Sequence, residues 1–290
     1  MKIAVLPNLS KYDSCEQTKK AIKILENLNV EIFLLSECRE KFKNKNVVFC
    51  ENIEEAIRKT DLSVTIGGDG TIIYAAKYAA LAGKPILGIN LGRVGFVANL
   101  EKDKIFKLQC LAQNKYHISK RMMICANVCK KDNQEESSKD TFYSLNDVVI
   151  SHSKVAKLCD FQIQYKNKDF FFRSDSLIFS TPTGSTAYSF SAGGPVVDPK
   201  TSCIILSQAC PYSNFTRSII FSKDSELIVK NASYKKQSNF FLIVDGEIKC
   251  KVTSLELVKI KVSPISVQLI HLEDQNFYDV FEKKSSQSQN

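Results

Sequence analysis

Residues 67–71, with the sequence Gly-Gly-Asp-Gly-Thr, combine a flexible glycine turn with a single carboxylate at Asp69. The apolar run 62–66 before them predicts a buried strand, and the alanine-rich run 72–80 after them predicts a helix. A glycine turn between a strand and a helix presents backbone N–H groups to a phosphate. Because a carboxylate repels a phosphate, Asp69 indicates either a metal ligand or a group that accepts a proton during phosphoryl transfer.

Residues 181–195 form a second unusual stretch, which reads Thr-Pro-Thr-Gly-Ser-Thr-Ala-Tyr and then Ser-Phe-Ser-Ala-Gly-Gly-Pro. Small residues let a flat ligand approach the backbone, while hydroxyl groups and Tyr188 supply directional hydrogen bonds and a ring face. The stretch has neither the lysine of a Walker loop nor the Gly-x-Ser-x-Gly pattern of a nucleophile elbow. The alternative interpretation is a surface loop rich in serine and threonine.

Three further acidic positions are candidates for binding. Asn146-Asp147 precedes the apolar run 148–150, where a carboxylate and an amide can accept the two vicinal hydroxyls of a ribose. A simple turn is the alternative there. Asp175, just before the run 177–179, has the same two interpretations, whereas Asp245-Gly246 between two β-like runs predicts a type I′ hairpin turn.

Alternating strand and helix patterns occupy residues 1–117, with Asn52 as the predicted N-cap of one helix. Such alternation predicts a parallel, Rossmann-like sheet with helices. A second glycine-spaced loop, residues 90–96, follows the predicted strand 86–89. Because ligands of parallel sheets bind beyond the carboxyl ends of the strands, both glycine loops are expected at the site.

Residues 118–265 change in character to β-like runs separated by turn residues. Apart from a short segment at 186–192 they contain no convincing long helix, and they predict an antiparallel β-sandwich. Residues 130–140 are polar and predict a hairpin loop. The final residues, 283–290, are polar and are expected to form a frayed tail.

Composition limits the classes of function. The chain of 290 residues has the hydrophobic content of a globular protein, no apolar run long enough to span a bilayer and no signal peptide. Its ten cysteines are dispersed, which indicates reduced thiols in a cytoplasmic protein and no zinc site. The net charge of +9 is spread along most segments, which favours a small anionic substrate over nucleic acid.

Three stretches together resemble the signatures of the NAD kinase family: Gly67–Thr71, Asn146-Asp147 and Thr181–Pro195. They occur in the family's order, and the similarity covers most of residues 62–280. Asp245-Gly246 and the segment around His271 and Asp274 look like further landmarks of the family. The glycine–aspartate loop alone is shared with lipid kinases, whereas the long stretch at 181–195 is far more specific.

The resemblance implies ATP-dependent phosphorylation of the 2′-hydroxyl on the adenosine ribose of NAD, with Mg²⁺ or another divalent metal, in a homodimer or homotetramer. Asp69 would be the catalytic base, favoured over its metal-ligand role, and no metal ligand is assigned. Residues 266–282 would rejoin the first domain, and NAD would lie between the domains. The implied NAD-binding residues are Asp69, Gly70, Phe96, Asn146, Asp147, Asp175, Thr183, Thr186, Ala187 and Tyr188, and the implied phosphate loop is Gly67, Gly68, Gly70 and Thr71.

The sequence departs from the family pattern at three places. Asp147 replaces a glutamate, Ser176 replaces a glycine and Phe281–Lys284 replaces a basic ending that contains tryptophan. A serine at position 176 would be strained if the position needs a positive φ. Two other classes of function remain open: a lipid or sugar kinase that shares the loop, and a non-catalytic module that senses dinucleotides. ATP and polyphosphate both remain open as phosphoryl donors, as do NAD and NADH as acceptors.

Overall fold

The computed structural model describes residues 1–43, 46–92, 95–98, 100–130, 141–153, 157–213, 217–232, 239–273 and 276–287. The chain divides into two compact units. Unit 1 consists of Met1–Arg121 together with Ser266–Asn290, and unit 2 consists of Met122–Ile265. The predicted hairpin loop at 131–140, Arg93 and Asp274 lie outside the described residues.

Unit 1 is built on a parallel sheet with the strand order β3-β2-β1-β4-β5. The predicted parallel sheet with alternating helices is confirmed, since each neighbouring pair in this order is parallel. Short 3-10 helices cover Ser36–Cys38 and Lys102–Leu108. The other elements are β1 (Lys2–Pro7), α1 (Ser14–Glu26), β2 (Glu31–Leu35), β3 (Val47–Cys50), α2 (Ile53–Arg58), β4 (Leu62–Gly67), α3 (Asp69–Leu81), β5 (Ile86–Asn90), β6 (Leu100–Glu101) and α4 (Gln109–Ala112).

The two central strands that lead to the glycine loops, β4 and β5, are buried along their whole length. Helix α3 packs on them through a face of small side chains: Ala75, Ala76, Ala79 and Ala80. Small residues let the helix approach the sheet closely. Because Gly68 alone separates the two elements, the N-terminus of α3 lies directly at the end of β4. The predicted N-cap of α2 is confirmed, because the Asn52 side chain accepts the Glu55 backbone N–H at 2.9 Å.

Unit 2 is antiparallel, as its β-like runs predicted. One sheet has the order β14-β13-β12-β9-β16-β17, and β11, β10, β15 and β18 pair in a second antiparallel set. The two share one core, in which the rings of Phe161 and Phe240 lie 4.9 Å apart. Strands β7 and β18 contribute residues to both units. The elements are β7 (His117–Lys130), β8 (Thr141–Ser144), β9 (Asp147–His152), β10 (Cys159–Tyr165), β11 (Lys168–Ser174), β12 (Ser176–Ser180), α5 (Tyr188–Ser191), β13 (Cys203–Ala209), β14 (Ile219–Ser222), β15 (Glu226–Asn231), β16 (Phe240–Val244), β17 (Glu247–Val252) and β18 (Glu256–His271).

The turn between β16 and β17 is the type I′ turn predicted from the sequence. Asp245 has a φ of 48° and Gly246 a φ of 81°, so both central residues adopt the left-handed conformation of this turn. Of the residue types other than glycine, aspartate and asparagine tolerate the left-handed conformation best, because their short polar groups can hydrogen-bond to nearby backbone.

The C-terminal segment differs from the frayed tail predicted for residues 283–290. Helix α6 (Phe277–Gln287) continues through the first five of these residues. Val280 is buried, and Phe277 stacks on Phe281. Because these side chains repeat at helical spacing, they hold the segment as a helix on unit 1 even though its last residues are polar. No helix in the described ranges is long and apolar enough to cross a membrane.

Candidate functional site

The predicted phosphate loop lies where β4 ends and α3 begins. Gly68 is the N-cap of α3, and Asp69 is its first residue. The Thr71 hydroxyl accepts the Gly68 N–H at 3.4 Å and the Asn8 side-chain amide at 3.3 Å. The Thr71 N–H donates to the Gly68 carbonyl at 2.9 Å. Within Gly67–Thr71, the first-turn N–H groups of Asp69 and Gly70 are therefore the candidates for binding an anion at the positive helix end.

The Asp69 carboxylate points at the second glycine loop. Its Oδ2 accepts the Phe96 N–H at 2.8 Å, and its Oδ1 accepts the N–H groups of Val97 at 3.1 Å and Ala98 at 2.8 Å. A carboxylate offers about four acceptor positions, so about one, on Oδ2, is left for a ligand. Asp69 therefore joins the two glycine loops, a structural role that its motif alone did not reveal.

Gly95 is required for this contact. A Cβ at position 95 would overlap Asp69 Oδ1 and would lie 3.0 Å from the Ala98 carbonyl oxygen. Phe96 follows directly and packs against α6, with its ring 5.8 Å from the Phe277 ring. The glycine spacing of the second loop thus reflects close packing around the Asp69 carboxylate.

The described residues do not form a protein-held metal centre. They contain no group of three or more histidine, cysteine, aspartate or glutamate side chains placed to hold one ion. Asp69 offers about one unused acceptor position. Mg²⁺ in phosphoryl-transfer sites commonly binds one or two carboxylates, the substrate phosphates and water. The one unused position on the Asp69 carboxylate therefore fits a metal ion that binds together with the nucleotide phosphates and makes at most one contact to the protein.

In unit 2 the stretch at 181–195 lies against Asn146. The Thr181 N–H donates to the Asn146 carbonyl at 2.9 Å, and the Thr181 hydroxyl donates to the Leu145 carbonyl at 2.6 Å. A Cβ on Gly184 would overlap the Asn146 backbone. Two predicted sets of binding residues, far apart in sequence, are therefore adjacent in space.

The Asp245 carboxylate fixes the backbone of residues 144–147. It accepts the Ser144 hydroxyl at 2.6 Å and the N–H groups of Leu145 at 3.0 Å, Asn146 at 2.8 Å and Asp147 at 3.2 Å. The sequence predicted only the turn at Asp245. The aspartate of an Asp-Gly turn is usually exposed, and its position in the family landmark was the available signal that it does more.

Polar atoms of the predicted NAD-binding residues are buried here without a partner. Asn146 Oδ1 and Thr183 Oγ1 are both buried and make no hydrogen bond to any described residue. Buried polar atoms are nearly always paired in native proteins, so unpaired ones indicate a bound ligand or water. These two atoms are therefore candidates for contact with a ligand or water in unit 2.

Asp147 is a buried carboxyl, with 5% of its surface exposed. Burial raises the pKa of Asp147 from 3.8 to about 7, and the negative charge of Asp245 adds to the rise. Burial also raises the pKa of Asp245, against the lowering effect of its four hydrogen bonds. Because Asp245 accepts four donors, we assign the negative charge to Asp245 and the proton to Asp147.

The remaining predicted residues lie on or beside the 181–195 stretch. A 3-10 helix, Thr183–Thr186, leads into α5, and the Ala187 N–H donates to Gly184 O at 2.9 Å. Tyr188 is 46% exposed, so its ring is available to a ligand. Asp175 separates β11 from β12, and its N–H donates to Ala209 O at 3.1 Å.

Ser176 shows no strain where the family carries a glycine. It is the first residue of β12, pairs with Ser151 on one side and Ala209 on the other, and does not have a positive φ. The condition for a strained serine is therefore not met, because extended backbone accepts any side chain.

Comparisons with known proteins agree over the whole chain. The model of the ATP-NAD kinase N-terminal domain matches residues 6–114, and that of the ATP-NAD kinase C-terminal domain matches residues 145–272. The NAD kinase of Caldanaerobacter subterraneus subsp. tengcongensis is 32% identical over 288 residues, which is 98% of each chain. The NAD kinase of Carboxydothermus hydrogenoformans is 34% identical over 269 residues, covering 90% of this chain and 92% of that protein.

Solved structures share the fold at lower sequence identity. Yeast NADH kinase complexed with NADH matches with a TM-score of 0.85 and 21% identity, over 96% of this chain and 85% of that one. An NAD kinase from Archaeoglobus fulgidus in complex with ATP matches with a TM-score of 0.72 and 23% identity, over 98% of both chains. With both domain models matched and relatives above 30% identity along nearly the full length, the chain belongs to the NAD kinase family.

Proposed function

We propose that this protein transfers the γ-phosphoryl group of ATP to the 2′-hydroxyl of the adenosine ribose of NAD, giving ADP and NADP. The observation that carries the proposal is the Asp69 carboxylate, which is held at the N-terminus of α3 with an acceptor position of Oδ2 unused. The family membership and the solved relatives, one bound to NADH and one to ATP, supply the substrate classes.

In the proposed reaction the ribose 2′-oxygen attacks the γ-phosphorus. Its proton passes to Asp69 Oδ2, the new O–P bond forms and the bond between the γ-phosphorus and the β–γ bridging oxygen breaks. ADP leaves with the electron pair of that bond. A ribose hydroxyl is a poor nucleophile, and positioned acid–base catalysis contributes roughly 10²–10⁴-fold to such a step.

The remaining acceleration comes from position and charge. The N–H groups at the start of α3 face the transferred phosphoryl group, and the three N–H bonds from 96–98 hold Asp69 in one orientation. A divalent metal bound together with ATP, with Asp69 as its one protein contact at most, would supply neutralisation of charge on the phosphate oxygens.

Unit 2 recognises NAD in this proposal. Asn146 Oδ1 and Thr183 Oγ1 take the ligand's polar groups, because both atoms are buried and unpaired. Asp147 accepts a ribose hydroxyl through the unprotonated oxygen of its carboxyl group, and Asp175 accepts a second polar group. Tyr188 supplies an exposed ring face, with Thr186 and Ala187 in the adjoining turn. In unit 1, Phe96 is proposed as an apolar wall beside Asp69.

Asp69→Asn separates the base role from the metal role. The base assignment predicts that NADP formation is lost at every Mg²⁺ concentration, while NAD still binds. Because the asparagine amide would also face the N–H groups of 96–98, NAD affinity should be measured directly by calorimetry. Recovery of the rate with excess Mg²⁺ would assign Asp69 to the metal instead.

A coupled assay with NAD, ATP and Mg²⁺, read as NADP formed, tests the function as a whole. Formation of ADP with a lipid or sugar but not with NAD would identify a kinase of another class. NAD binding without any NADP would identify a dinucleotide-sensing module. Replacing ATP by polyphosphate, and NAD by NADH, in the same assay defines the range of donors and acceptors.

The compartment and the assembly state are part of the same proposal. We propose a cytoplasmic enzyme, supported by ten cysteines that are all free thiols. We also propose a homodimer or homotetramer, supported by apolar side chains exposed on strands of unit 2, including Phe171 at 70% and Ile248 at 63%. Light scattering of the full chain measures the assembly state.

A further inference from the structure

Helix α6 brings a lysine to the Asp69 site. Lys284 Nζ lies 4.1 Å from the centroid of the Phe96 ring. The backbone N–H of Phe96 donates to Asp69 Oδ2, the oxygen with an unused acceptor position. Lys284, Phe96 and Asp69 therefore form one cluster within unit 1, although Lys284 is separated from the glycine loop by most of the sequence.

The position of Lys284 is fixed by packing. Phe277 packs on Phe96 and on Phe281, and Val280 is buried beneath the helix. Lys284 itself is half-buried, with its ammonium over the Phe96 ring. The ring face of Phe96 offsets part of the cost of removing the ammonium from water through a cation–π contact.

The charge of Lys284 is not neutralised by a close ion pair. No carboxylate in the described ranges lies within 4.0 Å of its ammonium, although the charge of Asp69 is near enough to raise its pKa. Burial has the larger and opposite effect and lowers the pKa of Lys284. A partly buried cation without a close counter-ion favours an anionic ligand at this place.

The glycine loop lacks a cation of its own. Residues 67–76 contain neither lysine nor arginine, and the loop has no Walker lysine. Phosphoryl transfer places negative charge on three oxygens of the γ-phosphate, and kinases of other classes supply a lysine or arginine to them. Lys284 can fill this role from the opposite end of the chain.

We propose that Lys284 binds a phosphate oxygen of a nucleotide substrate beside Asp69 and so positions that substrate for phosphoryl transfer. The inference rests on the proposed kinase reaction and adds a residue to it. The shared ligand chemistry is a nucleotide phosphate, which both ATP and NAD carry.

Lys284→Gln in the full-length protein tests the inference, with Lys284→Arg as the conservative variant. Its matched control is Lys283→Gln, which removes the same charge from the adjacent exposed position of α6. We expect Lys284→Gln to lower kcat/KM by about 10- to 100-fold, the size of one lost charged hydrogen bond. Lys284→Arg should stay within about threefold of the wild type, and Lys283→Gln should be unchanged.

Binding measurements separate a phosphate contact from a structural effect. We expect Lys284→Gln to weaken the binding of inorganic tripolyphosphate about tenfold or more and to leave adenosine binding unchanged. A rise in the KM for NAD with unchanged tripolyphosphate binding would place the contact on the NAD diphosphate and would also support the inference. Equal losses for adenosine and tripolyphosphate would show a structural effect and overturn it.

Two other outcomes overturn the inference without touching the proposed function. Wild-type rates in Lys284→Gln would show that the ammonium contacts no substrate. A higher rate would show that Lys284 obstructs the Phe96 wall. In either case the wild-type protein still forms NADP, whereas failure of the wild type to form NADP would reject the kinase reaction itself.

Discussion

The carboxylate of Asp245 accepts the backbone N–H of Asn146 at 2.8 Å across 99 positions of sequence. The same carboxylate accepts three further donors from residues 144–147. A hairpin turn of one strand pair thus orients the segment that carries the proposed ribose-binding residues. Residues 144–147 are held by the Asp245 carboxylate and not by the backbone conformation of the turn.

Asp245→Asn isolates that charge, because asparagine also tolerates the positive φ of the turn. The amide nitrogen would face N–H donors and leave some of them unpaired. We expect the free energy of unfolding to fall by about 1–3 kcal/mol, and the KM for NAD to rise at least tenfold, while tripolyphosphate binding stays unchanged. Urea unfolding and calorimetry measure both effects. Unchanged stability and unchanged KM would show that the four hydrogen bonds do not hold the segment.

Asp147 predicts a dependence of stability on pH. Its folded-state pKa of about 7 lies above the unfolded value of 3.8, so between these values the folded protein holds a proton that the unfolded chain releases. The contribution of Asp147 to the free energy of unfolding is complete below about pH 4 and is lost as the pH rises through 7. The wild-type free energy of unfolding should therefore fall by about 2–4 kcal/mol relative to Asp147→Asn over this range. Parallel curves for the two proteins would contradict the assignment of the proton to Asp147.

For His271 we expect a pH dependence of stability of the opposite sign. Burial, with the charges of Arg121 and His117, lowers the pKa of His271 from 6.5 to about 4. The unfolded chain therefore takes up a proton before the folded protein does, and stability is lost as the pH falls from about 6.5 to 4. His271→Gln should remove about 1–2 kcal/mol of this loss, a value reduced for partial exposure. Urea unfolding between pH 4 and 7 measures it, and a variant as acid-sensitive as the wild type would disprove the effect.

Gly95→Ala tests the close packing around Asp69. The added methyl group meets Asp69 Oδ1 and the Ala98 carbonyl, so the three N–H bonds to Asp69 cannot all persist. We expect the free energy of unfolding to fall by about 1–3 kcal/mol and kcat by tenfold or more. Gly70→Ala is the control for stability, because a Cβ there meets no atom within 4 Å. Equal stability of the two variants would mean that the loop adjusts without cost.

Local features of the fold followed from the sequence. The Asn52 cap, the strand before Gly67 and the left-handed turn at Asp245-Gly246 each depend on a few neighbouring residues, and all three are observed. The motifs also assigned Asn146 and Thr183 to one NAD site. The stretch that carries Thr183 lies against the Asn146 backbone at Gly184, while the binding roles of both residues stay predictions.

Side-chain roles that depend on distant backbone could not be predicted in the same way. The sequence identified Asp69 as a reactive group but gave no sign of its three bonds to residues 96–98. It treated Lys284 as part of a polar tail, because the packing of Phe277 on Phe96 is visible only in three dimensions. In both cases the partner is at least 27 positions away, beyond the reach of any local pattern.

The division of unit 1 into two chain segments has a consequence for synthesis on the ribosome. The parallel pairing of Leu269 with Ile86, and the bond from Gln268 to the Gly83 carbonyl at 3.3 Å, form only after all of residues 122–265 have been translated. At about 5–20 residues per second, that edge of β5 waits roughly 10–30 seconds for its partner. Lys284 arrives later still, six residues before the end of the chain. A nascent chain that stops before α6 would thus carry the Asp69 loop without the proposed contact from Lys284.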